Sequence, residues 1–238
     1  LRARDLTINA MAMAVEHGLD PEAPVLDPMA GQADLAGKRV RFCTPASPEA
    51  DPLRTMRALR FRWKLGFELA EGTADRIRDC VPFLSRVSVE RIRDELFQLL
   101  SIENADEALA ECLSFGTGRW LLGPAFSTVP SEVWSSASEQ VGWLSRFLRQ
   151  APDELTGLMN TEPTPPRRRR EVLLWAAVVQ SLGCAIKPGA AARYLALSND
   201  ERQLLVKGID GALAATNLVR AWPAPGRVRY PHFRAAGP

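Results

Sequence analysis

Residues 51 to 65 constrain the fold most strongly, because they predict a helix with arginines along one face. Asp51 is a good N-cap, and Pro52 fits the first helical turn, where its missing N–H would have no partner. Cations then recur at every third position, which places them on one broad side of a helix. These cations are Arg54, Arg57 and Arg60. The chain must therefore fold around a helix with one strongly cationic side.

This cationic side has two interpretations. In the first, Asp51 only caps the helix and the arginines form a solvated surface, which is the more common role of such a pattern. In the second, the Asp51 carboxylate is a fixed acceptor beside the fixed donor Arg54, and the pair reads the hydrogen-bonding edge of a nucleobase. The stretch alone leaves both interpretations open.

Length and charge limit the classes of protein to consider. The 238 residues suffice for one or two domains with a sizeable core. No apolar run is long enough to cross a bilayer and no signal-peptide pattern opens the chain, so we expect no membrane partner. The formal net charge of +2 argues against a strongly basic, non-specific nucleic-acid binder. Any nucleic-acid surface must therefore be local.

Cysteine and histidine usage argues against several kinds of catalytic centre. The cysteines are scattered without paired spacing, which predicts reduced thiols in a cytoplasmic protein. They are Cys43, Cys80, Cys112 and Cys184. Only two histidines occur, His17 and His232, which excludes a histidine-rich metal centre and argues against a Ser-His-Asp or Cys-His catalytic set.

The first sixteen residues carry a second polar group of interest. Small and apolar residues alternate after Thr7, which predicts a packed helix. Asp5 and Asn9 are four positions apart and would share one side if that helix begins early enough. With Arg4 beside them they can hold a ribose hydroxyl and a phosphate. Simple capping of a helix entry by Asp5 or Thr7 is the alternative.

Residues 17–47 are richer in Gly and Pro and contain two segments short enough for strands. Short strands are expected at 24–27 and 38–43, joined by the turn-forming segment 27–35, in which Gly31 permits unusual backbone geometry. A plain connector is the alternative for that segment. Because helical spacing dominates everything downstream, the fold class is mainly α with a small α/β remnant at the N-terminus.

Apolar residues recur at helical spacing through the rest of the chain. Helices are predicted at about 73–80, from Ser88 to about Leu100, from Ser131, at 171–184, and from Ser198 to about Ala215. Ser198 and Glu201 have the spacing of a capping box. The segment 222–238 is rich in Pro and Gly and is predicted to be irregular.

The helix after Ser88 carries charges suited to helix–helix contacts. Arg91 is one turn before Glu95, which predicts an ion pair along the helix. Glu90 can reach across to the arginine-bearing helix. We expect a structural role for this group.

A run of four cations precedes the predicted helix 171–184. It consists of Arg167, Arg168, Arg169 and Arg170. Such a run can bind RNA phosphates, but a solvated charge run is the more common interpretation.

Four blocks, in a fixed order, resemble the class II tRNA nucleotidyltransferase and bacterial poly(A) polymerase family over about residues 1–120. Arg4-Asp-Leu-Thr-Ile-Asn-Ala10 is similar to the family's ribose-recognition motif. Asp27-Pro-Met-Ala-Gly-Gln-Ala-Asp-Leu35 resembles the flexible link between head and neck. Asp51-Pro-Leu-Arg54, continuing to Phe61, resembles the base-reading motif, and Glu90-Arg-Ile-Arg-Asp-Glu95 resembles the neck motif.

The resemblance implies template-independent addition of C and/or A to RNA 3′ ends, with tRNA as the expected partner and ATP and/or CTP as substrate. Asp51 would accept from the exocyclic amine of cytosine or adenine and Arg54 would donate beside it, with Arg57 and Arg60 on the same nucleotide-binding face. Asp5 and Asn9 would hold the ribose and Arg4 the triphosphate. The structural residues of the motifs would be Asp27, Gly31, Asp34, Glu90, Arg91 and Glu95.

The chain departs from the family pattern at three alanines. Ala50 stands where the base-reading motif has a glutamate that would help to hold the arginine, and Glu49 is the nearest substitute. Ala3 replaces the first arginine of the ribose motif, and Ala30 replaces a glycine of the link. These changes put base selectivity in question.

The resemblance also implies two magnesium ions held by an Asp-X-Asp pair that precedes the ribose motif in the family. We find no such pair here, so no catalytic or metal-binding residue is assigned. The expected division is 1–47 for the end of the nucleotidyltransferase head, 48–120 for a helical neck with the base reader, and 121–238 for a helical body. The alternative function is a non-catalytic RNA-binding relative. CCA addition, A-only addition, polyadenylation and the oligomeric state stay open.

Overall fold

The computed structural model describes residues 1–14, 23–123, 131–183 and 186–220, and these are predominantly helical. The α-helices are α1 (Gly31–Ala36), α2 (Ser47–Ala50), α3 (Leu53–Leu65), α4 (Thr73–Cys80), α5 (Val89–Leu100), α6 (Ala105–Ser114), α7 (Gly118–Leu122), α8 (Ser131–Arg149), α9 (Asp153–Met159), α10 (Arg169–Ser181), α11 (Pro188–Tyr194) and α12 (Asn199–Arg220). The 3₁₀ helices Thr7–Asn9 and Val81–Arg86 and the strands β1 (Arg39–Val40) and β2 (Glu68–Leu69) complete the described elements. The predicted fold class, mainly α, is confirmed.

Helix α3 lies at the centre of the N-terminal half. Its Met56 and Leu59 side chains are fully buried, and it packs against α5 and α6. Gly66 ends the helix at φ 65°, a left-handed conformation that glycine adopts without steric cost. The helix therefore holds its arginines at a fixed position on the rest of the fold.

The small β structure ties the N-terminal residues to α3. Strands β1 and β2 pair in parallel, with Arg39 opposite Glu68. Leu6 forms an antiparallel bridge with Phe42, and Ala12 forms another with Leu26. The helix predicted after Thr7 is wrong: only one 3₁₀ turn forms, because the backbone around Leu6 pairs with the chain at 41–43 instead.

The C-terminal half is a helical layer around α10. This helix packs against α8 and α12, and its Trp175 is fully buried. The capping box at the start of α12 is confirmed, since Ser198 N–H donates to Glu201 Oε2 at 2.8 Å and Glu201 N–H donates to Ser198 Oγ at 3.2 Å. The predicted helix at 171–184 begins earlier, at Arg169.

One apolar cluster runs through both halves, from Leu6 to Ile209. Among the helices of the described residues, none has the length and apolar character needed to cross a membrane. Cys184 and the predicted irregular segment 222–238 lie outside the described residues, as do His17 and His232.

Candidate functional site

The segment from Asp27 to Gly31 turns the chain into α1. Asp27 accepts hydrogen bonds from the N–H groups of Gly31 at 2.7 Å and Gln32 at 2.9 Å. The bonds from Gln32 and Gly31 lower the pKa of the Asp27 carboxyl below its usual range. A Cβ at Gly31 would lie 2.3 Å from the Thr7 carbonyl oxygen, so this position requires glycine. The link therefore packs directly on the ribose-motif segment.

Asp34 is the buried centre of this contact. It is 1% exposed, and its Oδ2 accepts from the Thr7 hydroxyl at 2.6 Å. The same oxygen pairs with Arg41, whose Nε and Nη2 each lie 2.8 Å away. Asp34 thus fixes the link against both the 3₁₀ turn and the chain after β1, and the sequence had identified Asp34 but not its partners.

Asp5 and Asn9 lie side by side, as their spacing predicts, although a 3₁₀ turn brings them together. Asn9 Nδ2 donates to Asp5 Oδ1 at 3.3 Å, and the Leu6 N–H donates to the same oxygen at 2.8 Å. Arg57 donates to the other oxygen, Oδ2, from Nε at 2.8 Å and from Nη2 at 2.6 Å. Burial raises the pKa of Asp5, but the Arg57 and Leu6 hydrogen bonds outweigh it, so the net shift lowers the pKa.

Arg57 and Arg60 of α3 are ion-paired in the fold. Glu95 of α5 is 2% exposed, and its Oε1 accepts from Arg60 Nε at 2.5 Å. Its Oε2 lies 3.8 Å from Arg57 Nη1. We call Asp5, Arg57, Glu95 and Arg60 the N-terminal network. Arg60 is 5% exposed, so the prediction of a solvated surface is wrong for this residue, and its contact with a nucleotide stays a prediction.

Arg54 is held by neutral oxygen atoms. Its Nη1 donates to Ser47 Oγ at 2.8 Å and to the Arg4 carbonyl at 3.0 Å, and its Nη2 donates to the Ala3 carbonyl at 2.8 Å. The guanidinium therefore lies on the backbone of the ribose-motif segment, one turn of α3 away from Arg57. Sequence reasoning had not identified Ser47.

Asp51 both starts α3 and contacts α5. Its Oδ1 accepts from the Leu53 N–H at 3.3 Å, which is the hydrogen bond expected of an N-cap. Its Oδ2 accepts from Arg91 Nη2 at 2.8 Å, and the side chain is 27% exposed. The predicted pair of Arg91 with Glu95 is therefore wrong, because Arg91 reaches across to Asp51. Glu90, expected to make that contact, lies exposed in the first turn of α5.

Arg4 and Glu49 are two further residues that the sequence analysis assigned to this site. Arg4 is exposed, and its Nε donates to the Asn9 carbonyl at 3.3 Å. Its contact with a triphosphate stays a prediction. Glu49 does not substitute for a carboxylate beside Arg54, since its Oε2 lies 3.6 Å from Arg76 Nη2.

The arginine run at 167–170 is divided between structural and exposed positions. Arg167 is 9% exposed, and all three nitrogens of its guanidinium donate to carboxylates, Nε and Nη2 to Glu201 and Nη1 to Asp94 at 2.9 Å. We call Asp94, Arg167 and Glu201 the C-terminal network. The solvated-surface prediction is wrong for Arg167, whose guanidinium faces two carboxylates, and its contact with RNA stays a prediction. Contacts of Arg168, Arg169 and Arg170 with RNA stay a prediction.

The arrangement brings a hydrogen-bond acceptor and a hydrogen-bond donor to the first turn of one helix, next to a pair of side chains suited to a sugar. Asp51 and Arg54 supply the first pair, and Asp5 and Asn9 the second. No group of three or more His, Cys, Asp or Glu residues in the described ranges is arranged to hold a metal ion.

Comparison with known proteins identifies a matching family model and similar sequences. Residues 66–124 match the family model described as "Probable RNA and SrmB- binding site of polymerase A". A CC-adding tRNA nucleotidyltransferase of Geobacter sulfurreducens is 33% identical over 98% of this chain and 51% of its own length. A CCA-adding enzyme of a Geobacillus species is 37% identical over 58% of this chain and 32% of its own length. The chain thus spans about half, or less, of these curated relatives.

Solved structures support the fold. A tRNA nucleotidyltransferase determined with a primer tRNA and an incoming ATP analogue superimposes with a TM-score of 0.71, at 19% identity, over 98% of this chain and 62% of that one. A structure described as a tRNA-processing enzyme complex gives a TM-score of 0.72 at 19% identity, over 93% and 56% of the two chains. These structures show the fold, while the family model and the curated relatives lead to one conclusion: the chain belongs to the class II family of tRNA nucleotidyltransferases and bacterial poly(A) polymerases.

Proposed function

We propose that this chain supplies nucleotide selection and RNA binding to a template-independent nucleotidyltransferase that adds C and/or A to RNA 3′ ends. The observation that carries the proposal is the position of Arg54 in the first turn of α3, three residues after Asp51, with its guanidinium anchored on the segment that bears Asp5 and Asn9. A purely RNA-binding module has no need of such a base-reading pair. The curated relatives, which are CC-adding and CCA-adding enzymes, support the same class of reaction.

The chemistry of the pair suits cytosine and adenine. Both bases present an exocyclic amine donor next to a ring-nitrogen acceptor, which matches a carboxylate beside a guanidinium. Guanine and uracil present a carbonyl where the amine would be, so an unprotonated Asp51 opposes them. Asp51 already accepts from Leu53 and Arg91, but a carboxylate has about four acceptor sites, so it retains capacity for a base.

The test is the binding of nucleoside triphosphates to the purified chain and to Arg54→Ala, measured by isothermal titration calorimetry. We expect the wild type to bind CTP or ATP more tightly than UTP and GTP, and Arg54→Ala to lose that preference. Arg78→Ala is the matched control, because Arg78 is exposed and its partners among the described residues are Asp75, one turn away in α4, and the Phe115 ring.

Equal affinity of wild type and Arg54→Ala for CTP and ATP would contradict the base-reading role. Absence of nucleotide binding by the wild type, together with retained tRNA binding, would favour the alternative of a non-catalytic RNA-binding relative.

RNA, with tRNA as the expected species, is the proposed macromolecular partner. Support comes from the match of residues 66–124 to an RNA-binding model and from the relatives' names. The division into a head remnant at 1–47, a neck at 48–120 and a body at 121–238 belongs to the same proposal. The family's magnesium is expected to act in the whole enzyme, and no step is assigned to it here. A cytoplasmic location is supported by the free thiols of Cys43, Cys80 and Cys112.

A further inference from the structure

We infer that Ser47 is a positioning residue for base selection, which acts by fixing the guanidinium of Arg54. This inference rests on the proposed function and extends it to a residue outside the four sequence motifs. It gives Ser47 no contact with the nucleotide. The Ser47 hydroxyl exerts its effect through Arg54.

The Ser47 hydroxyl lies among three groups that it can join. The side chain is buried, with the residue 3% exposed. Oγ lies 2.8 Å from Arg54 Nη1, 3.1 Å from the Asp5 carbonyl oxygen and 3.2 Å from the Arg4 carbonyl oxygen. A hydroxyl has one proton to donate and lone pairs to accept with. Since an arginine only donates, Oγ accepts from Arg54 and donates its proton to one of the two carbonyls.

Ser47 also contacts the other member of the base-reading pair. Its carbonyl accepts the N–H of Asp51 at 3.3 Å, while its hydroxyl contacts Arg54. The short helix α2, which runs from Ser47 to Ala50, thus connects the ribose-motif backbone to both Asp51 and Arg54. A displacement of Ser47 would change the spacing between acceptor and donor.

The kind of partner distinguishes Arg54 from its neighbours. Arg57, Arg60 and Arg91 each face a carboxylate, at 2.6, 2.5 and 2.8 Å. In the described residues, the oxygens that contact Arg54 belong to Ser47 and to the carbonyls of Ala3 and Arg4. Neutral acceptors orient a guanidinium without neutralising its charge. Arg54 is therefore held in place and keeps its full charge for a base edge.

The experiment is a double-mutant cycle on nucleotide selectivity, with Ser47→Ala, Arg54→Ala and the double variant. Selectivity is the ratio of affinities for CTP and UTP, and for ATP and GTP. We expect Ser47→Ala to reduce the ratio about tenfold, the effect of losing one hydrogen bond to a charged group. Because Ser47 acts through Arg54, the double variant should match Arg54→Ala. The control is Ser114→Ala, whose hydroxyl bonds only within its own helix.

A second measurement follows Arg54 directly and needs no nucleotide. In ¹⁵N NMR spectra of the arginine side chains, the Arg54 Nη protons should exchange slowly with water in the wild type and faster in Ser47→Ala. The urea midpoint of each variant shows that it is folded.

The outcomes separate this inference from the proposed function. Unchanged selectivity and unchanged Arg54 exchange in Ser47→Ala would overturn the inference while leaving base reading intact. Additive losses in the double variant would also overturn it, since they would mean a general structural effect. If the wild type shows no selectivity, the proposed function fails, and the positioning role in selection fails with it.

Discussion

The N-terminal and C-terminal networks use the same chemistry in opposite ways. Both pair arginines with buried carboxylates from distant parts of the chain. In the N-terminal network the Arg57 side chain is 33% exposed, and it lies on Asp5 next to Asn9. In the C-terminal network the Arg167 side chain is 10% exposed and the Glu201 side chain is fully buried.

The difference distinguishes a network that adjoins a candidate binding site from one that holds two helices together. Arg167 donates from each nitrogen of its guanidinium to the carboxylates of Glu201 and Asp94, so it joins α5 to α12 and its charge faces two carboxylates. Beside the N-terminal network, Arg54 is bound to neutral oxygens and Asp51 stays partly exposed. An arginine-rich sequence therefore does not identify a binding surface; the partners of each guanidinium do.

The largest expected effect on stability tests the C-terminal network. Arg167→Ala leaves the Glu201 carboxylate buried without its guanidinium, and removing one partner of a buried pair costs about 3–5 kcal/mol. Urea denaturation followed by circular dichroism measures the loss. Arg169→Ala is the matched control from the same run, because Arg169 Nε donates to the Thr161 hydroxyl at a more exposed position. We expect it to cost only about 0.5 kcal/mol.

A small loss in Arg167→Ala would break the comparison, because it would mean that the C-terminal network does not hold the helices together. The double variant Arg167→Ala/Glu201→Gln tests whether the cost comes from leaving the Glu201 charge buried without a partner. The double variant removes the stranded charge, so it should be more stable than Arg167→Ala alone.

The next effect tests the centre of the N-terminal network. Glu95→Gln removes the negative charge shared by Arg60 and Arg57 but keeps an oxygen that can accept from Arg60. We expect a loss of about 2 kcal/mol, the value of a hydrogen bond to a charged group, which is less than for Arg167→Ala. Arg57 limits the loss because it keeps its bonds to Asp5. A loss as large as that of Arg167→Ala would mean that both networks are equally closed.

Two carboxyls, Asp5 in the N-terminal half and Glu171 in the C-terminal half, should contribute to stability with opposite dependence on pH. The pKa of Asp5 is lowered from its ordinary value of 3.8, so its ionised form stabilises the fold above that pH and the benefit is lost as the pH falls through the folded-state pKa. Burial raises the pKa of Glu171 above 4.5, so its contribution is present below that pH and is lost as the pH rises. Stability measured from pH 2.5 to 7 should fall less steeply in acid for Asp5→Asn than for the wild type.

In Glu171→Gln, the loss of stability that Glu171 causes in the wild type as the pH rises above 4.5 should disappear. If the two variants gave parallel pH profiles, the assignment of opposite pKa shifts to the two carboxyls would be wrong.

Local signals in the sequence predicted the helices well where the interactions are local. The predicted helix at 73–80 has the bounds of α4, and Ser88 and Gly66 mark the boundaries of α5 and α3 as expected. The helix after Thr7 failed because Leu6 and Thr7 pair with residues 41 and 42, a contact between distant positions that periodicity does not reveal.

Sequence spacing did not predict which side chains the site residues contact. Asp5, Asp51 and Arg54 were identified from their motifs, but nothing in the spacing told that Arg57 would bind Asp5, 52 positions away. Arg91 is four positions before Glu95 in its own helix, but the packing of α5 on α3 pairs it with Asp51 instead. Ser47 carries no motif, and only its burial against Arg54 reveals it.

The smallest effect concerns the link that holds the ribose-motif segment. Ala30 adopts φ 57° and ψ 38°, a left-handed conformation that costs a residue with a Cβ about 1–2 kcal/mol. Ala30→Gly relieves this strain but adds about 0.4–1 kcal/mol of unfolded-state entropy, so we expect a net gain of up to about 1 kcal/mol in the urea unfolding free energy. Ala33→Gly, at an exposed helical position of α1, should instead lose about 0.5–1 kcal/mol. Opposite signs at two alanines three positions apart would show that backbone strain is stored at the link and not in α1. A loss in both variants would mean that Ala30 carries no strain, and that the contact of the link with Thr7 depends on Gly31 and Asp34 alone.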